Sequence, residues 1–227
     1  MPSEPDAAPA RTGAAVKILV ADLPLVFLYV AGLACHLIPS ARLVMLRATP
    51  VALFLTAALV AASLAQERAG KAFAWAGAVL VASFSIEAVG VATGAVFGSY
   101  GYGTALGQKL FAVPLVVGLN WAIVILGSTT LVTRFLAHPL AAAIAAGALT
   151  AGFDWVMEPV AVGLGYWQWA QATIPLRNYV AWFLIAAVLS FGFAMLRPRV
   201  KTWAPAAAFV LQLVFFATLR IAGTGTP

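Results

Sequence analysis

Seven stretches of roughly twenty apolar residues run almost end to end through this chain, and that pattern decides what it can fold into. They cover about 17–38, 43–64, 72–97, 108–131, 138–163, 174–196 and 203–222, each long enough at about 1.5 Å per residue to cross a hydrocarbon core about 30 Å thick. A segment in lipid must satisfy its own backbone polar groups. The spacing therefore predicts an all-α polytopic membrane protein, with seven transmembrane helices forming a single domain over 17–227 and outer loops rich in Gly and aromatics. Residues 1–16, polar and rich in Pro and Ala, read as a disordered tail. Glu4, Asp6 and the length of the first apolar stretch argue against a secretory signal. The chain is 63% hydrophobic and 9% charged, against roughly 45–50% and 25% in a soluble domain. That excludes a soluble enzyme, a disordered protein and a nucleic-acid binder. The single cysteine, Cys35, reads as a buried helix residue and excludes a disulfide framework or a Cys-based metal site.

With seven spans, Arg11, Lys17, Arg68, Lys71, Arg134, Arg197, Arg199 and Lys201 fall on one side. Arg42, Arg47, Lys109, Arg177 and Arg220 fall on the other. The excess predicts a cytoplasmic N-terminus, and hence an external C-terminus. The reading is a multi-pass protein of a bacterial inner membrane.

Acids inside the spans are the exception to this apolar pattern. Asp22, Glu87, Asp154 and Glu158 all lie within predicted spans, where an unpaired carboxylate costs several kcal/mol and marks function by default. Asp22 is near the start of its span and reads as facing headgroups. Asp154 and Glu158 are i, i+4 neighbours and share a helix face. Counted along the predicted spans, Glu87 and Asp154 sit roughly 15 Å below the outer boundary, with Asn120, Asn178 and His36 in the same outer half. Polar glue between helices would explain such a layer, but amides and hydroxyls suffice for that. A carboxyl pair in low dielectric is expected to share a proton and titrate as a unit, which suits general-acid chemistry.

Two outer segments complete the picture. Phe97 to Gly107 holds four glycines besides Tyr100 and Tyr102, and Gly163 to Trp169 carries Trp167, Gln168 and Trp169. These read as a cap whose aromatic faces can meet a developing cation, beside the plainer reading of an interfacial aromatic belt. Lys109 and Arg177 read as interfacial anchors or partners for an acid. Pro159 removes a backbone donor, which frees the carbonyl near residue 155 and predicts a kink. His138 before Pro139 reads as a helix start. No dinucleotide or phosphate-loop motif is present. Two histidines are too few for an oxygen-activating metal site, and the seventh span lacks a lysine for a retinal Schiff base. No metal and no cofactor are expected.

The run Tyr100-Gly101-Tyr102, Leu106-Gly107, Val113-Pro114-Leu115 and Asn120-Trp121, then Asp154-Trp155-Val156-Met157-Glu158-Pro159, Trp167-Gln168-Trp169 and Ile174 to Trp182, resembles the CruF-type carotenoid 1',2'-hydratases. That family includes gamma-carotene, lycopene and bisanhydrobacterioruberin hydratases, and the resemblance covers about residues 85–190. It implies addition of water across the C1',C2' double bond of an acyclic carotenoid end, leaving a tertiary alcohol. On this reading Asp154 and Glu158 are proton donor and partner, with Glu87 in support. Tyr100, Tyr102, Asn120, Trp121, Trp155, Trp167, Gln168, Arg177 and Asn178 bind substrate, with Asn120, Asn178 or Gln168 also holding the water. The substrate is a polyene entering from the lipid bilayer. Two enzymatic or transport alternatives use the same acids: a membrane carotenoid cyclase, and a proton-coupled transporter for a small solute. An inert assembly subunit is the third.

Overall fold

In the computed structural model of this chain, residues 10–171 and 173–224 are described, with side chains from residue 23 onward. Helices α1 (Ala10–Leu37), α2 (Pro39–Gln66), α3 (Gly70–Thr93), α4 (Leu115–Val132), α5 (Pro139–Gly163), α6 (Leu176–Leu196) and α7 (Ala204–Ile221) follow the apolar stretches in order. Six of them are long and apolar enough to cross a membrane, and Leu23–Leu37 is the apolar part of α1. The chain is a polytopic helical membrane protein. Helix α1 already runs from Ala10, through residues expected in the tail. Residues 1–9 of that tail, and the side chain of Asp22, lie outside the described residues.

The facing ends of α3 and α4 also differ from expectation, and local backbone chemistry explains both. The third span was expected to reach 97 but stops at Thr93, because Gly94 adopts the left-handed conformation (φ 65°) that closes a helix. The fourth was expected from 108 but starts at Leu115, with Pro114 extended just before it. The connection from 94 to 114 is thereby long enough to form strands. Strand β1 (Tyr100–Tyr102) pairs antiparallel with β4 (Trp167–Trp169), and β2 (Lys109–Leu110) with β3 (Val113–Pro114). These two small ribbons are additions to an otherwise all-α fold.

Helix α4 is the axis of the bundle. It is apolar all round, and its buried residues run from Val116 to Val132, as expected of a helix surrounded by others. Close approach is set by glycine. A Cβ on Gly127 would sit 2.5 Å from both Pro205 O and Phe209 Cβ of α7, and one on Gly147 would sit 2.8 Å from Phe183 O of α6. Ser128 and Thr150 hydroxyls meet at 2.9 Å, and Thr129 and Ser190 at 2.7 Å, tying α4 to α5 and α6. At the N-terminus of α5, His138 accepts from Ala141 N as the N-cap, the role its place before Pro139 suggested. Pro159 leaves the Trp155 carbonyl without its usual helical donor. Arg220 of α7 supplies one, Nη1 to O at 2.7 Å, with its guanidinium 4.2 Å over the Trp155 ring.

Candidate active site

The site is organised by the β1–β4 ribbon. In an extended strand alternate side chains share a face, so Tyr100 and Tyr102 point one way and Gly101 the other. Trp167 and Trp169 do the same around Gln168. Antiparallel register sets Tyr100 opposite Trp169 and Tyr102 opposite Trp167, with ring centroids 4.9 and 5.9 Å apart. The inward face is thus four aromatic rings, each with a hydrogen-bond donor at its polar end. The ladder continues through Gly103 N to Tyr166 O (2.8 Å) and Ala170 N to Ser99 O (2.9 Å). Glycine is required at 103, because a Cβ there would stand 2.2 Å from Gly165 O.

Each strand holds a carboxylate from a different helix. Glu87 of α3 accepts from the hydroxyls of Tyr100 and Tyr102, the latter at 2.9 Å, and from Trp121 Nε1 at 2.8 Å. Burial, and then the Glu87 charge, push both tyrosine phenols up, so they remain donors. Glu158 of α5 accepts from Trp167 Nε1 at 3.0 Å and Trp169 Nε1 at 2.9 Å, both on Oε2. One turn earlier on the same face, Asp154 Oδ2 accepts from Asn178 Nδ2 at 2.6 Å, and the same amide lies 3.4 Å from Glu158 Oε1. Asp154 Oδ1 is buried without a hydrogen-bond partner among the described residues. All three acids are at most 4% exposed. The ribbon therefore links Glu87 to the Asp154–Glu158 pair through tilted and edge-on ring contacts, with one amide bridging the pair.

Glu87 and Glu158 line one cavity of about 110 Å³, together with Tyr100, Tyr102, Trp121, Trp167, Asn120 and Asn178. That is room for the end of a branched chain and not for a whole polyene. The far wall comes from α1, α2, α4 and α7. There Gln212 Nε2 donates to Asn120 Oδ1 at 2.9 Å, and Thr56 Oγ1 donates to the Tyr29 hydroxyl at 3.3 Å. His36 Nδ1 donates to Gly32 O at 2.8 Å. His36 Nε2 and Gln212 Oε1 are buried without partners among the described residues.

Most of the residues singled out in the sequence meet here, but four do not line the cavity, and three of those point away from it. Trp155 follows Asp154 by one residue, about 100° around the helix, and is 56% exposed on the outside of α5. Gln168 is exposed on the outward face of β4, between the two inward tryptophans. Arg177 is exposed beside the buried Asn178. Asp154 itself lies behind Glu158, outside the cavity lining. Residues not singled out as site residues also matter. Trp169 holds Glu158, and Trp182 stacks on Trp121 with centroids 3.7 Å apart. Tyr166 shares a hydrogen bond with Thr49 at 3.1 Å and lines the cavity, as do Tyr29, His36 and Gln212. The Trp-x-Trp alternation of 167–169 carried a readable signal for Trp169, whereas Gln212 and Tyr29 sit outside any motif. Among the described residues, no group of three His, Cys, Asp or Glu is placed to hold a metal ion.

Comparison with known proteins adds two positive findings. The profile of a family described as "Carotenoid biosynthesis protein" matches residues 47–225. The bisanhydrobacterioruberin hydratase of Haloarcula japonica is 32% identical over 152 residues, covering 61% of this chain and 51% of that protein. The chain thus spans about half the length of the curated relative it matches. No solved structure matches.

Proposed function

This chain belongs to the carotenoid biosynthesis protein family, and from that premise we propose that it is a carotenoid hydratase adding water across the C1',C2' double bond of an acyclic carotenoid end. The name of the haloarchaeal relative supports a hydratase reading. The observation that carries it is the shared cavity wall, where Glu87 and Glu158 are held by the two strands of one aromatic ribbon with Asp154 directly behind Glu158. Hydration of a trisubstituted alkene needs a strong acid, a stabilised tertiary cation and one controlled water. The Asp154–Glu158 pair delivers its proton to C2', breaking the π bond and leaving the cation at C1'. The Glu87 carboxylate and the Tyr100, Tyr102 and Trp167 rings stabilise that charge. Water attacks C1', and its surplus proton returns to the pair. Atoms and charge balance, and the scheme runs on side chains and water alone.

The far wall supports water capture over ring closure, because Asn120, Gln212 and His36 offer polar groups where a cyclase would want a dry surface. In the proposed topology the chain crosses a bacterial inner membrane seven times with its N-terminus cytoplasmic. The ribbon and cavity then lie toward the outer side, and the polyene enters from lipid.

Expression in a host that accumulates an acyclic-ended carotenoid tests this reading by chromatography and mass. The expected product is heavier by one water and is lost in Asp154→Asn and Glu158→Gln. Retention of the hydroxylated product in both variants removes the mechanism. A ringed product of unchanged mass replaces it with a cyclase, and proton-driven uptake into proteoliposomes without pigment change replaces it with a transporter.

A further inference from the structure

The end of the molecule remote from the ribbon carries a second cavity, of about 450 Å³, unlike the first in chemistry. It lies where α4 and α6 end and α5 and α7 begin, and Arg134, Arg197, Arg199 and Lys201 all line it. The chain from 197 to 202 belongs to no helix or strand. Arg197, Arg199 and Lys201 are exposed and alternate with the half-buried Pro198, Val200 and Thr202, so the three bases are the outward residues of a strap. Arg197 holds a left-handed conformation (φ 45°), which turns the chain out of α6 into that strap. Arg134 pins it from beneath. Its Nη2 donates to Lys201 O at 3.2 Å and Thr202 O at 2.5 Å, and its guanidinium lies 3.9 Å over the Trp203 ring. Arg134 Nε is buried without a partner among the described residues. The acid bonded to this strap, Glu67, accepts from the Lys201 backbone N at 2.8 Å.

Bases at the opposite end behave differently. Arg42, Lys109 and Arg220 each donate to a backbone carbonyl, at 2.9, 2.5 and 2.7 Å, and they are scattered over separate elements. The side chains of Arg197, Arg199 and Lys201 make no hydrogen bond or ion pair among the described residues. Four cations around one cavity repel one another, so an anion there is favoured. The N-terminal turn of α5, through Pro139 and Ala142, adds its positive end to the same cavity. The pocket also opens onto apolar surface. Leu136 lines it, Phe135 beside it is 74% exposed, and Met195 at the end of α6 is 60% exposed.

We propose that this pocket binds an anionic phospholipid of the bilayer, its phosphodiester among Arg134, Arg197, Arg199 and Lys201 and its acyl chains along Phe135, Leu136 and Met195. The exposed apolar flank favours a lipid over free phosphate, which would use the bases alone. Basic pockets between helix ends on one membrane face are the expected setting for such headgroups. The assignment does not depend on the hydratase reading, since its measurement involves no carotenoid.

Native mass spectrometry of the detergent-purified full chain, titrated with phosphatidylglycerol, phosphatidylcholine or inorganic phosphate, tests it. The expected result is retained phosphatidylglycerol adducts and weak phosphatidylcholine binding. Joint replacement Arg197→Ala, Arg199→Ala and Lys201→Ala should weaken phosphatidylglycerol binding roughly a hundredfold, at about tenfold or less for each base near the surface. Arg42→Ala with Arg47→Ala should change it less than twofold. Should the triple variant fail to fold, Arg199→Glu alone gives the same ordering at smaller size. Equal binding of phosphatidylcholine, equal loss in both sets of variants, or inorganic phosphate displacing the lipid completely would each overturn the assignment.

Discussion

The two walls of the main cavity are built on opposite rules. On the acid wall both lining carboxylates are supplied with donors: Glu87 has three, and Glu158 has two indoles and a longer amide contact, while Asp154 behind them has one amide and keeps Oδ1 without a partner among the described residues. The wall's geometry is fixed by a ribbon whose rings pack on each other. On the far wall the groups are neutral, come from four helices, and keep acceptors at His36 and Gln212 without partners. Satisfied networks rigidify a site, whereas an unpartnered buried group is costly unless a ligand meets it. The contrast teaches a division of labour. The first wall holds the proton and the charge in place, and the second meets whatever polar group enters with the substrate.

The sharpest way to break that division is to neutralise the acid pair. Asp154→Asn or Glu158→Gln is expected to lower turnover by about 10²–10⁴, the usual contribution of general acid catalysis. Folding should survive, since Asn178, Trp167 and Trp169 still find an oxygen to donate to. Turnover within tenfold of wild type, measured by product formation in membranes, would make the acid wall structural. Next in size is Gly103→Ala. Its Cβ would collide with Gly165 O, so the ribbon must open at the end nearest Tyr102 and Trp167. A loss of about 3 kcal/mol, at the upper end for point substitutions, should appear as a lowered Tm. Activity should fall with it, because both carboxylates lose their scaffold together.

A smaller effect sharpens the roles. Gln212→Leu removes one neutral hydrogen bond, worth about 0.5–1.5 kcal/mol, so hydration should fall up to roughly tenfold. Proton delivery should continue, and an uncaptured cation loses a proton back to the pair. Recovered substrate from reactions in D2O should therefore carry more deuterium than with the wild type. Loss of deuterium incorporation alongside hydration would place Gln212 on the acid wall's side of the chemistry.

The sequence was legible where one physical signal dominates. Helix order and the i, i+4 pairing of Asp154 with Glu158 follow from apolar length and helical period, and the carbonyl freed by Pro159 was found capped by Arg220. Strands of three residues leave no comparable trace. Tyr-Gly-Tyr and Trp-Gln-Trp could be recognised as aromatic, but their pairing joins segments more than sixty positions apart and depends on register. Trp155, Gln168 and Arg177 were misplaced for one shared reason. Each adjoins a residue that lines the cavity, holds a carboxylate or carries one, and nearness in sequence is not nearness in space, since a single step turns a side chain about 100° on a helix or to the other face of a strand. Gln212 and Tyr29 were missed because a lone polar residue in a span carries no pattern until a partner on another helix is known.

Gln168 gives the smallest expected effect and tests the register itself. It lies between two tryptophans that hold Glu158, so by sequence alone it stands at the centre of the site. Its exposed place on the outward face of β4, opposite Gly101, predicts the contrary. Gln168→Ala should leave both turnover and Tm nearly unchanged, within about 0.5 kcal/mol of stability, as for an ordinary surface substitution. Trp169→Phe, one residue away, removes an indole donor from a buried carboxylate and should cost about 1–3 kcal/mol. A one-residue slip of the strand would exchange the two faces and invert this order. Activity lost at Gln168 and spared at Trp169 would mean that Glu158 is held by a different set of groups, and the acid wall would have to be rebuilt from the ribbon outward.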